Sequence, residues 1–129
     1  MRWLARCACD ADVVNERAAR GMAVIGLTVA AGAALSPRRF LAPFGIDPHD
    51  VTGSAALGWR LFAVRTAYLG QRALRGDAGA RDMFLPVQVL DQAVFWHAFA
   101  SRSVPRRAPV LAATASGAII ALDLLRRRG

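Results

Sequence analysis

Arg60 and Arg65 stand inside SAALGWRLFAVRTAYLGQRAL, and Asp91 stands inside MFLPVQVLDQAVFWHAFA. Charges in such apolar stretches are costly unless they find partners, and within a membrane they commonly mark function. Folded as an antiparallel hairpin about Ala78, the two stretches bring Arg65 and Asp91 to equal depth, each 13 residues from the turn. A guanidinium can grip a carboxylate through two bonds and does not lose its proton. On ideal helices Leu61, Arg65, Tyr68 and Arg72 share one stripe, and Gln88, Asp91, Gln92 and Phe95 share another. Both stripes are expected to face inward, because lipid would leave their polar groups unsatisfied. Arg65 and Asp91, helped by Tyr68, Gln88 and Gln92, would then form a hydrogen-bonded cluster. Arg60 falls opposite Trp96 and His97, where it can stack on the indole or reach for the outer surface.

Three kinds of chemistry fit this set. An Arg65–Asp91 pair can simply fix which helices pack together. Arg60 or Arg65 can anchor a polar or anionic ligand. Asp91 and His97 can pass protons, although His97 lies about 120° round an ideal helix from Asp91, which weakens a dyad. Asp47, His49 and Asp50 resemble a carboxylate metal motif but read equally as turn chemistry. Cys7 and Cys9 are too few for a soft-metal site, and a disulfide between them would close a strained ring; free thiols are expected. The sequence holds no G-x-S-x-G, Walker, HExxH, CxxC or haem motif. No catalytic residue, metal ligand or cofactor is assigned, and the balance leans away from an enzyme.

These side chains need elements to position them. At 129 residues the chain is one domain at most, with 55% hydrophobic residues. Its apolar blocks alternate with Arg-, Pro- and Gly-rich connectors and approach the length needed to cross hydrocarbon. The net charge of +8 comes from 17 arginines and no lysine. That excess invites a nucleic-acid reading, but the arginines gather at segment ends instead of interleaving with aromatics on one helix face. The first twenty residues are too polar to supply the apolar core of a signal peptide.

Residues 1–20 are expected to form a cytoplasmic or interfacial segment, and residues 21–128 a single membrane domain. The spans predicted are Gly21–Leu35, Ser54–Leu74, Arg81–Ser101 with a kink at Pro86, and Ala108–Leu125. Gly26, Ala30 and Ala34, and again Ala113, Gly117 and Ala121, recur every four residues, the spacing that lets membrane helices approach closely. The connector 36–53 contains Pro37, Pro43 and Pro48, which break a helix. Its Phe40 and Phe44 suit an interfacial segment, and Asp50 or Ser54 is the expected cap of the next helix. Asp123, among arginines near the end of the last span, is expected to pair with one of them at the surface. Ten arginines fall on the side of the termini and five on the other, which predicts cytoplasmic termini.

The chain resembles a family once these segments are in place. Arg39-Phe40, Phe44-Gly45-Ile46-Asp47, Arg60 through Arg65, Leu69-Gly70 and Asp91 look like motifs of small bacterial four-helix membrane proteins near the DoxX-like proteins. The group is classed as a domain of unknown function, and the resemblance covers about residues 20–128. It implies a four-helix membrane bundle, and by fold analogy alone a membrane redox or quinone link. The sequence departs from the pattern at Ala63, where Gly is common, and at Thr66, where an acidic residue would stand. Without that acid, Asp91 becomes the expected counterion of Arg65.

The expectation is therefore an all-α, four-transmembrane-helix bundle, multi-pass in the bacterial inner (plasma) membrane, with both termini cytoplasmic. Its expected role is a non-enzymatic subunit or scaffold with a buried Arg–Asp pair, working with a protein partner or a second copy. The alternative is a binder of a lipid, a quinone or another small amphiphile. Nucleic acid is not an expected partner.

Overall fold

The computed structural model of the chain describes residues 2–128, with side chains described from Asp12 onward. Five helices follow one another: α1 (Arg2–Leu35), α2 (Pro37–Leu41), α3 (Gly53–Leu74), α4 (Ala78–Ser101) and α5 (Arg107–Arg128). Two short 3-10 turns, Ala42–Phe44 and Pro48–Asp50, fill the link between α2 and α3. The described residues contain no strand.

The chain is all-helical, but the expectation of four membrane-spanning helices is corrected. Two segments are long and apolar enough to cross a membrane by length and composition, Asp12–Leu35 of α1 and Arg107–Arg128 of α5. The polar residues explain the shortfall. Arg60, Arg65, Gln71 and Arg72 interrupt α3, while Gln88, Asp91, Gln92 and His97 interrupt α4. The cytoplasmic placement of both termini was derived from four crossings and falls with them. The helix before Gly21 also continues unbroken into α1. Cys7 and Cys9 lie outside the residues whose side chains are described.

α1 packs against α3 and α5, α4 packs against α5, and a weaker α3–α4 contact closes the ring of long helices. The main core joins Ala19, Met22 and Ala23 of α1 to Ala73, Ala80, Phe84 and Ile119 from the other three. Four of these seven are alanines, so the helices approach closely where they meet. Gly70 marks a close approach of α3 to α1: a Cβ there would lie 2.9 Å from Leu27 Cγ and 3.4 Å from the Ala23 carbonyl.

The α3–α4 turn is built locally. Gly76 takes φ +85°, donates to the Ala73 carbonyl at 3.1 Å, and Asp77 donates to the Arg72 carbonyl at 3.1 Å. That is the double-bonded helix stop that favours glycine at its left-handed position. Asp77 then caps α4, accepting from the Ala80 amide at 2.8 Å. The cap of α3 is neither Asp50 nor Ser54. Thr52 holds that place and accepts from the Ala55 amide at 3.3 Å.

Candidate binding site: a cavity with a charged wall

A cavity of about 360 Å³ lies between the helices, lined by residues of all five and of the first 3-10 turn. Its existence follows from residue size. Gly26, Gly58, Ala55, Ala112 and Ala115 occupy lining positions that larger side chains would fill. The opposite walls are aromatic. Phe40 and Phe44 pack with ring centroids 5.4 Å apart, and Trp59 meets Phe40 at 6.1 Å and Phe62 at 5.7 Å. Phe40 and Phe44 are partly buried and line the cavity.

Arg65, Thr66, Gln88, Asp91 and Ser116 supply the polar part of an otherwise apolar lining. Arg65 lies over the Phe62 ring, its guanidinium carbon 5.8 Å from the centroid. Among the described residues no hydrogen bond or ion pair joins Arg65 to Asp91. The expected bonded pair is replaced by two charges that share a cavity. The physical reason is that α3 and α4, though joined by a short turn, touch least among neighbouring long helices. The void stands between them.

The other residues singled out from the sequence go elsewhere. Gln92 ties α4 to α5, donating to the Ala113 carbonyl at 2.8 Å while accepting from the Trp96 indole at 3.0 Å. Tyr68 is exposed and accepts a hydrogen bond from Arg72 at 3.1 Å. Arg60 and His97 are exposed, and neither lines the cavity. Asp47 accepts from the His49 amide at 2.8 Å, which makes the Asp47–His49 motif a capped turn. Among the described residues no three His, Cys, Asp or Glu side chains converge as for a metal ion.

Sequence reasoning undervalued a second polar cluster. Asp123 is not at the surface; it is 0% exposed. It accepts from Arg126 Nε at 2.8 Å and from Arg127 Nε at 2.6 Å. Arg126 also reaches Asp82 Oδ1 on α4 at 2.6 Å. The signal that explains this lies in α4. Pro86 has no amide hydrogen, so the Asp82 carbonyl four residues earlier loses its helical donor. Arg127 Nη2 approaches that carbonyl at 3.4 Å. A second tie at the same end runs from Arg81 on α4 to Glu16 on α1, at 3.0 Å.

Charge balance in this region is sensitive to acid. The Ala80 amide, with Arg72 beside it, holds the Asp77 carboxyl below its usual range, and Arg126 does the same for Asp82. A depressed folded-state value means stability that is present above the ordinary carboxylate range and lost as pH falls through the folded value. Amide hydrogen exchange at the start of α4 is therefore expected to accelerate as pH drops from about 6 to about 3, beyond the intrinsic effect of pH. An unchanged protection factor would show that these ties add nothing to the folded state.

Comparison with known protein families, curated proteins and solved structures returns no match. The family resemblance stands on the motifs quoted for it alone.

Proposed function

We propose that this chain is a small membrane protein that holds an amphiphilic molecule in the cavity between its helices. The observation that carries the reading is the cavity itself: an apolar, aromatic-walled space with a few convergent polar groups, the usual character of small-molecule sites. A lipid, a quinone or another single-chain amphiphile fits that chemistry, with Arg65 as its polar anchor. The scaffold reading depended on a direct Arg65–Asp91 bond, and two separated charges give it less support.

α1 and α5 supply the segments able to cross a membrane, and we place this two-pass protein in the plasma (inner) membrane. Large apolar side chains lie open to the surroundings along the other long helices, among them Leu57, Leu61, Val64, Leu90 and Val94. A contiguous exposed apolar surface suits lipid or a protein partner better than water.

The test is native mass spectrometry of the protein extracted gently into a maltoside detergent. A stoichiometric small amphiphile is expected to co-purify with the wild type. It should be lost from Ala115→Phe, which places a ring in the cavity, while helical content is retained. Wild-type protein free of any bound molecule, and indifferent to added single-chain amphiphiles, would end this reading.

A further inference from the structure

We infer that the cavity selects a zwitterionic headgroup, with a phosphate held by Arg65 and an ammonium held by Asp91 and the neighbouring aromatic rings. The inference rests on reading the cavity as an amphiphile site and goes on to name the ligand class.

Two opposite charges line one apolar space without meeting. Among the described residues neither side chain makes a hydrogen bond, so no existing pair must be broken when a ligand arrives. Stacking over Phe62 leaves the guanidinium edge of Arg65 free, and that planar fork matches the oxygens of a phosphate. Asp91 is half-buried on the facing helix. It would repel a purely anionic headgroup, just as Arg65 would repel a purely cationic one, and like charges brought together in a binding site oppose association strongly. A headgroup carrying both signs satisfies both walls at once.

Aromatic surroundings favour the same class. Phe95 lines the cavity one helical turn beyond Asp91, and Trp59 and Phe62 line it from α3. Ring faces attract alkylated ammonium groups, most effectively where water is excluded. The remaining lining, including Leu69, Val87 and Ile119, is apolar and suits a hydrocarbon chain. At about 360 Å³ the space falls at the small end of ligand sites, which favours one chain over two.

Three probes with the same twelve-carbon chain separate the alternatives: dodecylphosphocholine, dodecyl phosphate and dodecyltrimethylammonium. Each is titrated into the full-length protein in maltoside, and bound stoichiometry is read by native mass spectrometry. The zwitterion is expected to bind at least about tenfold more tightly than either singly charged probe. Asp91→Asn should close the gap to dodecyl phosphate, and Arg65→Gln should close the gap to dodecyltrimethylammonium. The wild-type ranking stands without the variants, so a variant that fails to fold does not remove the test. Equal binding of all three probes, abolished by Ala115→Phe, would overturn the headgroup assignment and leave the cavity as an amphiphile site. Binding of none would overturn both.

Discussion

Replacing Arg126 and Arg127 together by alanine is expected to destabilise the folded chain by about 3–5 kcal/mol, because it strands a buried carboxylate without its counterions. Asp123 has no access to solvent, and both of its close donors come from these two side chains. The change also removes the Arg126 contact to Asp82 and the Arg127 approach to the Asp82 carbonyl. Asp123→Asn attacks the same cluster from the other side. Its cost should be smaller, about 1–3 kcal/mol, since the arginines keep partial access to solvent and an amide can still accept a bond. Arg127 in particular is 39% exposed, which lets water take over part of its hydrogen bonding. Denaturation followed by circular dichroism in maltoside gives the comparison. A double arginine variant no less stable than Asp123→Asn would mean that Asp123 is not a buried charge needing neutralisation.

Phe84→Ala is expected to cost a similar amount, about 3–5 kcal/mol, as other buried large-to-small aromatic changes do. The ring is 4% exposed and belongs to two places at once. One side packs into the alanine-rich core with Met22 and Ile119; the other forms part of the cavity wall. Removing it enlarges the cavity into the core. The lost stability should then be partly recoverable with a ligand, because a molecule that binds only the folded state adds about 2.7 kcal/mol at one hundred times its dissociation constant. Dodecylphosphocholine is expected to raise the melting temperature of Phe84→Ala more than that of wild type. Recovery no greater than in wild type would show that the enlarged space does not join the ligand site.

The turn between α3 and α4 is legible in the residues 76–79, whereas the cap of α3 falls on Thr52 and not on Asp50 or Ser54. Gly76 and Asp77 mark the end of α3 and the start of α4, because one position needs a left-handed backbone and the next needs a short acceptor. The even spacing of Arg65 and Asp91 about that turn is visible in the residues too. What separates those two charges is not, since a void is created by small side chains on several helices at once. No single segment reveals that Gly26, Gly58 and Ala115 meet across the same space. Membrane crossing was overestimated for a related reason. The length of an apolar block is easily seen in α3 and α4, but their arginine, glutamine, aspartate and histidine residues count against it. Asp123 was misplaced because its surroundings in sequence are arginines at a chain end. Its arginine partners also reach across to Asp82 on α4, a contact that no local reading of α5 reveals.

The donor that the Asp82 carbonyl lacks opposite Pro86 gives the protein an order of assembly. A chain leaves the ribosome from its N-terminus, and domains organise as they emerge. α4 is synthesised with the Asp82 carbonyl already deprived of its helical partner, and nothing within α4 can replace it. The replacement arrives some forty residues later, on the final turn of α5. The Arg126–Asp82 tie becomes available in the same step, so the start of α4 gains its polar ties to α5 only once Arg126 and Arg127 have been made, after the Gln92–Ala113 bond further along α4. Until then this end of α4 is held to α1 through Arg81 and Glu16 but lacks its arginine ties to α5, and a molecule destined for the site could enter before the wall closes.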